Sequence, residues 1–247
     1  MGNWIVTGGA GGIGERVVSD AVAAGHKVLV WDLKVPPEAE GVRFQSVDLT
    51  DPDAIAAAAG EVTDKLDCFV HCAGVLATTS IAHDNLVEAM ELTFRLHCLA
   101  FVASVQALRG RLSEASGVAI AIASAGMDMV YPGTLAYGAS KAALQRAIKQ
   151  MAVELGGRGI RVNSVSPGAV ATEMTRHMWE DPDFATERLK HVPLGRQGET
   201  KYVSDAVAFL ASEAACYITG EDLWVDGGVR HGIFQPGTRA TVEQGGG

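Results

Sequence analysis

Tyr137, Lys141 and Ser124 are the residues whose types and spacing point most directly to chemistry. In Tyr137-Gly138-Ala139-Ser140-Lys141 the phenol and the amine stand four apart, so on a helix they share one face. A phenol with a pKa near 10 is a poor base at neutral pH. A neighbouring ammonium favours the phenolate and is expected to lower that value. Tyr137 could then exchange a proton with an alcohol or ketone oxygen while hydride moves to or from a nicotinamide. Ser124, 13 residues earlier, could hydrogen-bond the same oxygen and orient it.

Hydride chemistry needs a place for a dinucleotide, and the amino end supplies a candidate. Thr7-Gly8-Gly9-Ala10-Gly11-Gly12-Ile13-Gly14 falls between a short apolar run and a helical pattern. Glycines there allow a sharp turn and close approach of a pyrophosphate. The amides of the helix N-terminus add partial positive charge. Asp32, 18 residues after Gly14, ends the second apolar run. A carboxylate at that place can accept both ribose hydroxyls and repels a 2′-phosphate, so the expected cofactor is NAD rather than NADP. Lys34 is the only nearby cation.

The elements that must position these groups follow from periodicity. Strands are predicted at Trp4–Thr7, Val28–Asp32, Val42–Val47, Leu66–Val70, Val118–Ile122 and Ile160–Val165. Helical patterns run from Ile13 to about Ala24, Asp53 to Ala59, Asp84 to Leu112 (one helix or two) and Gly138 to Leu155. Alternating apolar strands and helices predict an α/β, doubly wound Rossmann-type parallel sheet of about seven strands, with helices on both faces and the ligand beyond the strands' carboxyl ends. With no repeat and no Pro/Ser-rich linker, 1–236 reads as one domain and 237–247 as a loose tail ending Gly-Gly-Gly.

Composition agrees. The chain has 247 residues, 48% hydrophobic and 20% charged, with a formal net charge of −9. Its 20 Lys and Arg are scattered rather than gathered in a basic stripe, so a nucleic-acid partner is not expected. Cys68, Cys72, Cys98 and Cys216 show no zinc-like pairing and read as buried thiols in a reducing cytosol, with no metal expected. The chain opens on Trp4-Ile5-Val6 without a basic leader or an 18-residue apolar span, so the expectation is a cytoplasmic protein with no membrane contact.

With these residues in place, the sequence resembles the short-chain dehydrogenases/reductases in their compact single-domain form, over about Trp4 to Gly228. The motifs that carry the resemblance are Thr7-Gly8-x-x-x-Gly12-x-Gly14, Asp48-Leu49, Ala73-Gly74, Ser124, Tyr137-x-x-x-Lys141 and Asn163 through Pro167-Gly168 to Thr172, with Val192-Pro193-Leu194-Gly195-Arg196 and the stretch Tyr217 to Gly228. The resemblance implies that Asp48 and Leu49 bracket the adenine and that Ala73-Gly74 line the ribose side. It also implies that Lys141 binds the nicotinamide ribose, and that Pro167, Gly168, Val170 and Thr172 hold the nicotinamide. Gly8, Gly12, Ile13, Gly14 and Asp32 complete the expected cofactor set. It implies, too, a homodimer or, more often, a homotetramer, which small apolar helix faces (Ala142, Ala143, Ala147, Ala152) would suit.

Two positions depart from the family. His71-Cys72-Ala73-Gly74 stands where Asn-Asn-Ala-Gly is usual, and His97 stands where a catalytic Asn helps hold a water linking the lysine to solvent. His97 could carry the proton itself, or simply be a histidine packed in its helix. Downstream, Glu173 to Pro182 reads as a mobile lid or as a short helix on the sheet. Met127, Met129, Val130 and Tyr131 are the candidate opposite wall, while Arg176 and His177 could serve an anionic group. The favoured reading is an NAD-dependent oxidoreductase interconverting a secondary alcohol and a ketone. The alternatives are an NAD-sensing protein without turnover and an epimerase or lyase on the same fold, from which NADH would not accumulate.

Overall fold

The computed structural model describes residues 1–232; the expected tail and the end of the expected domain lie outside them. Seven strands form one parallel sheet: β1 Asn3–Thr7, β2 Lys27–Asp32, β3 Val42–Ser46, β4 Cys68–His71, β5 Val118–Ile122, β6 Arg161–Pro167 and β7 Asp222–Val225. Their order across the sheet is β3-β2-β1-β4-β5-β6-β7, with every neighbouring pair parallel. The chain therefore winds outward in both directions from β1 and β4. The break between them, at the carboxyl ends, is where such sheets take ligands.

Strand residues alternate between two cores, as a period of two requires. Ile5, Phe69, Ala119 and Ala121 join Phe101, Leu108, Leu112, Leu144 and Ile148 on one face. Trp4, Val6, Cys68, Val70, Val118 and Ile120 join Val17, Val18, Val203, Val207 and Leu210 on the other. The first face is covered by α2 (Pro52–Gly60), α4 (Ala100–Ala115) and α5 (Leu135–Gly156), the second by α1 (Gly12–Ala23) and α8 (Thr200–Ala211). Beyond them lie α3 (Leu86–Phe94), α6 (Arg176–Trp179) and α7 (Pro182–Lys190).

Two local features shape the crevice at these strand ends. Helices α3 and α4 are continuous through a π-helical turn at Arg95–Leu99, with Phe94 and Ala100 both in right-handed helical conformation. Helix α5 starts at Leu135, three residues before the predicted Gly138, so Tyr137 sits inside its first turn instead of ahead of it. No helix among the described residues is long and apolar enough to cross a membrane.

Candidate active site

The loop after β1 is built around its glycines. Gly8 has φ +66, and a Cβ there would stand 2.7 Å from the Ala73 backbone. A Cβ on Gly14 would stand 2.1 Å from the Gly8 carbonyl oxygen. The turn closes only without these side chains, and it delivers the chain into α1. Gly11, at the N-cap of α1, provides no side-chain cap, so its first-turn amides face the crevice without a side-chain acceptor. That is a cradle suited to a diphosphate. Ile13 is half-buried and packs against the core under the loop.

Asp32 ends β2 beside this loop. One carboxylate oxygen accepts from Ala10 N–H and the other from Lys34 N–H, each at 3.0 Å. The acid is thus held at the rim of the cradle. Asp48 is engaged differently: one oxygen accepts from both Thr50 N–H (2.9 Å) and the Thr50 hydroxyl (2.7 Å), which holds the carboxyl below its ordinary range. Leu49 is buried in the core, 6% exposed. On the far side, a Cβ at Gly12 would lie 3.7 Å from Thr172 Cβ, so Thr172 faces the glycine loop across the crevice. Pro167 ends β6. Gly168 lies where a Cβ would meet Asp226 Cα at 2.7 Å, and Val170 bridges to Gly198.

Ser124, Tyr137 and Lys141 come together past the end of β5. A Cβ placed on Gly126 would be 3.4 Å from Ser124 Oγ and 3.5 Å from Tyr137 Cε1, so the two side chains flank that glycine, and the Ser124 hydroxyl accepts from Gly126 N–H at 3.1 Å. Lys141 is buried, donates to the Ile122 carbonyl at 2.7 Å and lies 5.8 Å from the Tyr137 ring centre. Its Nζ is 3.8 Å from a Cβ on Gly74, which brings it to the loop expected to line the ribose.

The electrostatics differ from the expectation of a lowered phenol. Burial is the largest influence on Tyr137 and holds it above its ordinary value, with the neighbouring Ser124 hydroxyl acting the other way. Burial also pushes Lys141 down to about 8, with the Cys72 thiol opposing. In a site this enclosed, desolvation of each charged form outweighs their mutual help.

His97 and His71 are both 0% exposed. His97 Nε2 accepts from Val75 N–H at 3.1 Å, so its Nδ1 carries the proton and donates to Ser140 Oγ at 2.8 Å. Both ring nitrogens are therefore occupied, and burial, then Lys141 and His71, pushes the ring down to about 2. For the proton-carrying role that its position suggests, His97 has no nitrogen to offer in this structure. Sequence reasoning missed Ser140, although its place three residues after Tyr137 puts it on the same helical face.

The expected wall is only partly present. Met129, like Leu189 and Trp224, packs against the cluster of Ala125, Val192 and Val229, and the Arg188 guanidinium lies 5.8 Å from the Tyr131 ring centre, joining α7 to the loop after Ser124. Val130 is instead 95% exposed, because the chain turns outward through Tyr131–Thr134. The lid region is a 3-10 turn at Glu173–Thr175 followed by α6, and Arg176 pairs with Glu173. The side chains of His177 and Met178 lie outside the described ones. The four cysteines are unpaired; Cys68 and Cys98 are buried as expected, whereas Cys72 is half-buried and Cys216 is exposed. Among the described residues no group of three or more His, Cys, Asp or Glu is placed to hold a metal ion.

Comparison with known proteins agrees with this geometry. The family model described as enoyl-(acyl carrier protein) reductase matches residues 8–230. The chain is 32% identical over 236 residues to the 2,3-dihydro-2,3-dihydroxybenzoate dehydrogenase of Escherichia coli K12, covering 90% of this chain and 94% of that one. It is 35% identical over 232 residues to the L-xylulose reductase of Bos taurus, covering 91% and 94%. The solved structure of 4-hydroxyisoleucine dehydrogenase complexed with NADH superposes with a TM-score of 0.88 at 25% identity, covering 94% of this chain and all of that one. With its seven-stranded parallel sheet, its glycine cradle and relatives that are oxidoreductases of secondary alcohols and ketones, the chain belongs to the short-chain dehydrogenase/reductase family.

Proposed function

We propose that this protein is an NAD-dependent oxidoreductase that interconverts a secondary alcohol and a ketone. The observation that carries this reading is the convergence of Ser124, Tyr137 and Lys141 beside Gly74, on a crevice whose other rim is the glycine loop and Asp32. The cradle fits a dinucleotide on its own terms, since glycines at 8 and 14 let the tight turn form and the amides of α1 have no side-chain cap. Bound there, a nicotinamide supplies the hydride acceptor or donor. The Gly8–Gly14 turn would hold the diphosphate and Asp32 the adenosine ribose. Asp48 would shape the adenine pocket through its turn, with Leu49 packed beneath. Ala73, Gly74 and Lys141 would meet the second ribose, and Pro167, Gly168, Val170 and Thr172 the nicotinamide.

Ser124 hydrogen-bonds the reacting oxygen and fixes its direction. Tyr137 gives its phenolic proton to that oxygen in reduction and takes the hydroxyl proton in oxidation. Lys141 keeps a positive charge beside the phenolate that oxidation requires. A phenol held above its usual pKa by burial is ready as an acid, so the ketone-reducing direction needs no prior deprotonation.

Asp32 supports NAD over NADP, because its carboxylate would face the 2′-phosphate of the latter. The experiment is a fluorescence titration with both dinucleotides, paired with turnover on a panel of alcohols and ketones. We expect at least tenfold tighter binding of NAD and a narrower preference in Asp32→Ala. Equal affinity for the two cofactors overturns the cofactor reading, and absence of NADH production across the panel overturns the enzyme reading. Of the alanines expected on an associating helix face, Ala152 lies in the core and Ala143 and Ala147 pack against it; the exposed apolar residues Val87, Leu92, Leu99 and Val153 instead support association into a homodimer or homotetramer, which light scattering checks and a monomer would refute.

A further inference from the structure

The Thr7 hydroxyl, at the start of the glycine loop, lies 2.8 Å from His71 Nδ1, and His71 Nε2 lies 3.0 Å from the Leu96 carbonyl oxygen. A carbonyl only accepts, so Nε2 carries a proton, and in the neutral ring that burial favours Nδ1 accepts from Thr7. Thr7 Oγ1 also takes the Ala73 N–H, at 3.4 Å. Leu96 is followed by His97, and both lie in the π-helical turn Arg95–Leu99. Such turns insert a residue and re-aim the side chains around it, and they are frequent at functional sites.

From His97 the chain of bonds continues. Val75 N–H donates to Nε2, Nδ1 donates to Ser140 Oγ at 2.8 Å, and Ser140 Oγ donates to the Tyr137 carbonyl at 2.8 Å. The ring edge of His97 also meets the Tyr137 ring at 82°, with centroids 5.5 Å apart. A nearly continuous buried path thus runs from the phosphate loop, through the floor of the crevice, to the backbone of the residue that would carry the chemistry. Every polar atom on it has a fixed sense of donor and acceptor, and the two histidines take opposite tautomers.

We propose that His71 and His97 are a pair of positioning residues that lock the Cys72–Val75 loop, through the π turn, to the helix bearing Tyr137 and Lys141. This rests on reading that crevice as the dinucleotide and acid/base site. The latch sets how far Gly74 stands from Lys141 and Tyr137, so it governs cofactor affinity and alignment without passing a proton. The charged and titratable groups facing the pair are Lys141 and Tyr137 from α5. The Lys141 ammonium beside both rings opposes a second positive charge there.

The first test uses the unaltered protein with 15N-labelled histidine and no dinucleotide, so its outcome is independent of the assigned reaction. We expect His71 to show the Nε2–H tautomer and His97 the Nδ1–H tautomer, with neither titrating from about pH 8 to about pH 5. Titration of either ring in that range, or the reverse tautomers, overturns the proposal. The second test compares His97→Leu, which removes both bonds, with His97→Asn, whose amide can accept from Val75 and donate to Ser140. We expect His97→Leu to raise the Kd for NAD about tenfold and to lower kcat while leaving the apparent pKa values of the kcat profile in place, and His97→Asn to recover most of both. A shifted pH profile in His97→Leu, or no change in Kd and kcat, overturns it.

Discussion

Replacing Lys141 with methionine should make the protein more stable at neutral pH while removing its turnover. The side chain is buried, and the polar partner its ammonium finds is the Ile122 carbonyl at 2.7 Å. Burial holds it at about 8 against an ordinary 10.5, and at ~1.4 kcal/mol per pKa unit that difference is about 3 kcal/mol of penalty for keeping the charge. Methionine has similar length and no charge to desolvate. It leaves the Ile122 carbonyl without its donor, which costs about 1–2 kcal/mol, so the expected net gain is about 1–2 kcal/mol. The pH dependence has a definite sign. Between about 8 and 10.5 the unfolded chain binds the lysine proton and the folded chain does not, so wild-type stability rises with pH across that window. The penalty is fully present below about 8 and gone above about 10.5. Urea unfolding of both proteins at about pH 7 and about pH 10, without dinucleotide, should show an advantage for Lys141→Met that shrinks at the higher pH. A variant less stable than wild type at neutral pH, or a difference that does not change with pH, would refute the reasoning that this ammonium is retained for function at the expense of stability.

Gly14→Ala should destabilise the protein by about 2 kcal/mol and weaken NAD binding more than tenfold, because its Cβ would stand 2.1 Å from a backbone oxygen that cannot rotate away; thermal unfolding and a binding titration check both. Asp222→Asn should raise the unfolding temperature at neutral pH. Burial holds the Asp222 carboxyl above its ordinary 3.8, so the folded state loses stability as pH rises through that shifted value, whereas an amide oxygen still accepts from Ser164 and Ser166. The gain should vanish in scans below the ordinary carboxylate range, and a gain that persists there would contradict this assignment.

The frame of the molecule is readable in the sequence because it depends on short-range pattern. The apolar runs of β1, β2 and β5, the glycines between Thr7 and Ile13, and the four-residue step from Tyr137 to Lys141 are all local, and a parallel sheet with helices on both faces follows from the alternation of strands and helices joined by right-handed crossovers. Periodicity does not show how distant side chains use their polar atoms. His97 bonds to groups 22 and 43 residues away, and no spacing rule reveals that both of its nitrogens are taken. The π turn that carries it leaves the helical pattern of Asp84 to Leu112 almost unchanged, which is why one helix and two fit that pattern equally well. The Tyr137 shift runs opposite to its expected direction for a related reason. Proximity of an ammonium is visible in sequence, whereas the depth of burial that outweighs it depends on the whole fold. Val130 fails as a wall residue because a single turn after it reverses which way the loop faces.

Hydride transfer under Tyr137 control is tested most directly by tracing one atom. An alcohol that turns over, labelled with deuterium on its carbinol carbon, is incubated with the protein and NAD, and the nucleotide product is analysed by mass spectrometry. The label is predicted to appear on the reduced nicotinamide with wild-type protein, at a rate that falls by about 100-fold or more with Tyr137→Phe, which keeps the ring and removes the proton-exchanging hydroxyl. Unlabelled NADH, or a Tyr137→Phe variant as fast as wild type, would contradict it.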